Sequence, residues 1–128
     1  MKIVGLIARC LLGFMFVVFG LNSFLHFIPN GPPQPGNAGI FAKVLMDTHF
    51  FYGVGLVMGV AGILLLFNRF VPLGLTLLGP ILFNILLFHI TMAPGSIWLG
   101  LFTTLLWALL AWQHRAAFAP LFKAKANT

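Results

Sequence analysis

The chain has 128 residues, a one-domain length. Apolar residues make up 61% and charged residues 6%, against roughly 45–50% and about 25% in soluble domains. Seven Lys or Arg and the single acid Asp47 cannot cover a water-soluble surface, which excludes a soluble globular enzyme and a disordered chain. The net charge of +6 is not a nucleic-acid signature, because the basic residues flank apolar runs and form no stripe.

The first apolar run, Ile3–Ile28, is long enough for the ~20 residues that a bilayer core requires. It fits a cleavable signal peptide poorly, being interrupted by Arg9 and lacking a small-x-small cleavage site. Cys10 is the only cysteine, so one chain can form neither an internal disulfide nor a thiolate zinc cluster. The segment Asn30-Gly31-Pro32-Pro33-Gln34-Pro35-Gly36-Asn37 ends any helix. Beyond it, residues 38–47 predict a short interfacial helix, with Asn37 as N-cap and Ile40, Phe41, Val44 and Leu45 on one face.

The second span is expected at 50–67, closed by Asn68-Arg69, and the third at 70–92. The turn Ala93-Pro94-Gly95-Ser96 separates a fourth span at 97–113, and residues 123–128 form a short polar tail expected to fray. Gly55, Gly59 and Gly62 make a small-residue face for close helix approach, and a possible homo-oligomer contact. Pro80 inside the third span predicts a kink. The expected architecture is all-α, an integral membrane bundle of four transmembrane helices.

If the N-terminus is cytoplasmic, Lys2, Arg9, Arg69, Arg115, Lys123 and Lys125 all lie inside and only Lys43 lies outside. That bias places both termini in the cytoplasm of a multi-pass cell (inner) membrane protein. Arg9, near the start of its span, is expected to snorkel to the inner headgroups.

Intramembrane polar groups are the first place to look for function. With this topology Asn22, His26, Asn84 and His89 fall in the outer half of the membrane, with Asp47 and His49 at the rim. Their shared depth suggests one polar pocket. A quinone or other lipid-like ligand, with its carbonyl on Asn or His and its ring on Phe, suits that pocket. Haem and metal fit less well: no second histidine pair supports two haems, and His26, His49, His89 and Asp47 lack tight ligand spacing. Alternatively, these groups only bond helices together. No nucleophile elbow, phosphate loop, metalloprotease motif or paired carboxylates appear.

Several stretches carry a family resemblance. They are Ala8-Arg9-Cys10-Leu11-Leu12-Gly13, then Phe19-Gly20-Leu21-Asn22-Ser23-Phe24-Leu25-His26-Phe27-Ile28-Pro29. Further along come residues 62–73, then Gly79-Pro80-Ile81-Leu82-Phe83-Asn84 through His89, then 107–115 and 118–122. Over residues 3–122 the chain resembles the DoxX family of small four-helix membrane proteins. The resemblance implies an accessory subunit or small binding protein linked to quinone and redox systems, partnered by membrane lipid and other membrane redox subunits. A structural, assembly or chaperone-like factor without a ligand is the alternative; a small transporter would require an oligomer. Many family members carry an acid where this chain has Met58, so a role needing that carboxylate does not carry over.

Overall fold

The computed structural model describes residues 2–27 and 35–125. The proline-rich break from 28 to 34 and the tail beyond 125 lie outside the described residues. The structure is helical, and the described residues contain no strand. Helix α1 spans Lys2–Leu25, α2 Gly36–Asp47, α3 Phe50–Leu66, α4 Val71–Met92 and α5 Trp98–Gln113, followed by the short α6 at Arg115–Phe118. Single 3-10 turns occupy Pro94–Ser96 and Ala119–Phe122.

The long helices pack in the cyclic order α1, α3, α4, α5 and back to α1. Glycine contacts fix their directions. Gly13 faces Gly62 while Gly20 faces Gly55, so α1 and α3 are antiparallel. Gly74 meets Ala61 and Leu64, Gly100 meets Ile85 and Leu86, and Gly5 lies under the Gln113 side chain. Each neighbouring pair is therefore antiparallel. The core between them contains Leu12, Phe16, Leu65, Leu75, Leu78 and Leu110, all fully buried.

The α1–α3 contact is a backbone contact. A methyl group on Gly20 would lie 2.7 Å from both the Gly55 oxygen and the Gly59 nitrogen, and one on Gly62 would lie 2.7 Å from the Gly13 oxygen. Within the small-residue face, Gly55 and Gly62 are covered by α1 of the same chain, whereas a methyl on Gly59 would meet nothing within 4 Å. Without a hydrophobic drive between helices in lipid, such proximity and the dispersion it permits are what hold two helices together.

The termini of the elements differ from the sequence expectation where side chains take the left-handed region. α1 stops at Leu25, short of Ile28, because His26 adopts φ 53°. α2 starts at Gly36 behind Pro35, which has no side-chain cap, so Asn37 lies in the first turn and is not the N-cap. At the end of α3, Asn68 has φ 54°, the Arg69 N–H donates to the Leu64 oxygen (3.0 Å) and the Asn68 N–H to the Leu65 oxygen (3.3 Å). This is a Schellman motif with asparagine in the usual glycine place.

Arg9 has a partner that its place in the sequence did not reveal. Its guanidinium donates to the Leu65 oxygen and, at 3.2 Å, to the Leu66 oxygen. Those are carbonyls of the last turn of α3, where a cation also complements the helix dipole. α4 runs unbroken as one helix through Pro80. The Trp107 indole N–H donates to the Leu75 oxygen at 2.8 Å, tying α5 to α4.

α1 and α4 are each long and apolar enough to cross a membrane, and α2 with α3 would supply a third crossing as a pair bent by 84°. Large apolar side chains cover the outside of the ring: Phe14, Leu56, Ile63, Leu73, Phe83, Ile90 and Leu105 are all exposed. An apolar exterior of this extent marks a protein of the membrane.

Candidate functional site: two hollows at one end of the ring

The antiparallel order brings the end of α1, the start of α3, the end of α4 and the start of α5 to one end of the ring, with α2 lying against α3 and α4 there. Of the seven Lys and Arg, only Lys43 lies at this end. The polar residues singled out by depth are all found here, but they do not converge on one pocket. They divide between two hollows and the outer surface.

The first hollow, about 200 Å³, lies at the corner of α1, α2 and α3. His26, Met46, His49 and Tyr52 line it, with Ser23, Leu45 and Phe51. Two histidines 23 positions apart in sequence meet here because both occupy chain corners: His26 ends α1 and His49 turns the chain from α2 into α3 at φ 60°. Positive φ in a non-glycine residue is uncommon, and its strain has to be held by surrounding structure. The Tyr52 ring lies 5.0 Å from that of His49, and Phe24 stacks on Tyr52 at 5.0 Å. Ser23 is buried and donates to the Gly20 oxygen at 2.6 Å.

The second hollow, about 290 Å³, lies between α1, α4 and α5. Phe16, Phe19, His89, Ser96, Trp98 and Thr103 line it, with Ile85, Leu99 and Gly100. His89 is half-buried, and its Nδ1 is 2.7 Å from the Ile85 oxygen. A carbonyl only accepts, so Nδ1 carries the hydrogen and Nε2 of the neutral ring is the acceptor. The Thr103 hydroxyl is 3.0 Å from the Gly100 oxygen, so its hydrogen stays within its own helix. The hollow is thus an aromatic and aliphatic space offering one imidazole acceptor, a chemistry that suits a flat ring bearing a hydroxyl.

The remaining predicted residues lie elsewhere. Asn84 is exposed on the outside of α4 and donates to the Pro80 oxygen at 2.8 Å, so it belongs to neither hollow. Asn22 is half-buried, has a partner of its own and lines neither hollow. Asp47 is exposed and paired with Lys43 at 2.6 Å along α2. That hydrogen bond, and the carboxylate charge behind it, raise the Lys43 ammonium above its ordinary pKa. No three His, Cys, Asp or Glu among the described residues come together as a metal cluster.

Sequence reasoning missed Met46, Tyr52, Phe16, Trp98 and Thr103 as lining residues. Tyr52 had a signal, being the only tyrosine and one turn after His49. Phe16 and Thr103 had none, since one apolar or small residue among many reveals no azimuth. Comparison with protein-family models, with characterised proteins and with solved structures finds no match to this chain.

Proposed function

We propose that this chain is an integral membrane protein of four spans, with both termini cytoplasmic, that serves as a DoxX-like accessory subunit or small binding protein of a quinone-linked redox system. Three facts support the four-span reading. The long helices form an antiparallel ring, their exterior is apolar, and six of seven cations gather at one end. α3 and α5, of 17 and 16 residues, sit at the short end of the spanning range. A locally thinned bilayer accommodates such lengths.

The ligand assigned to the hollow of α1, α4 and α5 is the ring of a quinol or quinone. The observation that carries this is the His89 ring, committed at Nδ1 to Ile85 and lining an otherwise largely apolar hollow with Phe16, Phe19 and Trp98. Neutral His89 accepts from a ring hydroxyl at Nε2; protonated, it donates there to a ring carbonyl. The protein's part is binding and orientation, with a proton held at that nitrogen.

Titrating a short-chain quinol into detergent-solubilised protein while following Trp fluorescence tests the assignment. His89→Phe is expected to weaken binding about tenfold, the scale of one buried hydrogen bond. Equal binding by that variant would remove the assignment. The second reading is a structural or assembly factor without a ligand. It is favoured by the absence, among the described residues, of any buried side-chain polar atom lacking a partner. Under it the quinol does not bind the wild-type protein at all.

A further inference from the structure

We propose that the other hollow, at the corner of α1, α2 and α3, is a binding site for a soft monovalent metal ion, Cu(I), held by the imidazoles of His26 and His49 and the thioether of Met46. His26 from the end of α1, and Met46 and His49 from the corner between α2 and α3, all line one hollow of about 200 Å³.

The four histidines differ in a telling way. His89 and His114 each have Nδ1 tied to the carbonyl four residues earlier, at 2.7 and 2.9 Å. Neither ring of His26 and His49 makes a hydrogen bond within the described residues. All four of their nitrogens therefore remain available, on rings that share a hollow. Tyr52 lies against the His49 ring at 5.0 Å and restrains it. Both residues also hold positive φ, at 53° and 60°, which places them at chain corners where the backbone turns around the hollow.

The donor set chooses the metal class. No carboxylate and no thiolate lines the hollow, and no third His, Cys, Asp or Glu joins the two histidines. Calcium and magnesium require oxygen donors, and structural zinc takes four ligands rich in thiolate or imidazole. Two neutral imidazoles and one thioether form a soft, uncharged set, which suits a monovalent soft ion. An uncharged set also adds only a single positive charge at a site bordering lipid. Asp47 is one residue from Met46 but is turned away to Lys43.

This site is separate from the ring-binding hollow, so each proposal stands or falls alone. The test uses the full chain in detergent, without oxygen, with Cu(I) supplied as its bicinchoninate complex. One Cu(I) per chain is expected to leave the chelator for the protein. Met46→Leu keeps shape and apolarity and is expected to weaken that transfer by about tenfold or more. His26→Phe with His49→Phe is expected to abolish it, whereas His89→Phe leaves it unchanged. X-ray absorption at the copper edge should show one sulfur neighbour in the wild type and none in Met46→Leu. The proposal is overturned if the wild type takes no copper from the chelator, or if the double histidine variant takes as much as the wild type. An absorption spectrum unchanged by Met46→Leu would overturn it as well.

Discussion

The Arg9 guanidinium lies 3.2 Å from the Leu66 carbonyl oxygen and also reaches that of Leu65, so a cation on the second turn of α1 closes the end of α3. The Schellman turn gives the Leu65 and Leu64 oxygens backbone partners; the Arg9 bond provides for Leu66. Replacing Arg9 by Met keeps the stem and removes the donor. The expected loss is about 1.5–3 kcal/mol, the scale of a hydrogen bond to a charged group. Arg9→Lys should lose less. Unfolding in graded sodium dodecyl sulfate measures both, and an Arg9→Met variant as stable as wild type would show that the contact carries no energy.

Gly20 and Gly59 lie across the same interface and should respond oppositely to the same change. A methyl at Gly20 runs into backbone atoms of α3 at 2.7 Å, and backbone cannot move aside as a side chain can. A methyl at Gly59 meets nothing within 4 Å. Gly20→Ala is expected to cost about 1–3 kcal/mol by overpacking. Gly59→Ala should be neutral or stabilising by up to about 1 kcal/mol, since alanine is the better helix former. Thermal unfolding of the two variants side by side decides it.

Asn68 holds φ 54° at the end of α3. Asn68→Gly should be tolerated or stabilising, whereas Asn68→Ala, which keeps the Cβ and loses the polar tip, should be less stable than Asn68→Gly by about 1–2 kcal/mol. Equal stability of the two variants would mean that the turn readjusts.

The Lys43–Asp47 pair is exposed on both sides, at 77% and 60%, and the cation precedes the acid, the less favourable order on a helix. Lys43→Met is therefore expected to leave the melting temperature unchanged near neutral pH. The raised Lys43 pKa fixes the sign of any pH effect. From neutral pH upward, whatever the pair contributes is whole up to the ordinary lysine value and disappears as pH rises through the raised one. An alkaline loss of α2 helicity that is equally large in Lys43→Met would show that the pair is not its cause.

The long helices were legible in the sequence because each is an apolar run ended by proline, by asparagine or, for α5, by the polar Gln113-His114-Arg115. Expected and observed termini agree within three residues for the four long helices. The single pocket was not legible, because depth in a membrane says nothing of direction around a helix. Asn84 and His89 are five residues apart, about 140° around α4, and so one faces out while the other lines a hollow. Asn22 and His26 have the four-residue spacing of a shared face, but His26 has left the helix, where that arithmetic no longer applies. The role of Arg9 was hidden for a related reason: its partners are backbone carbonyls, which any residue type supplies.

The ring closes between its first helix and its last: Gly5 of α1 lies under Gln113 at the end of α5. During synthesis α1 therefore meets its last neighbour only once α5 has been made; until then it is joined to α3 by its glycines and its α5 side has no partner. A truncation before α5 would leave both α1 and α4 short of a neighbour. The same adjacency brings the two ends of the ring side by side, so a short linker joining them, with the chain reopened at the Pro94–Ser96 turn, would preserve each helix pair in a new order of translation.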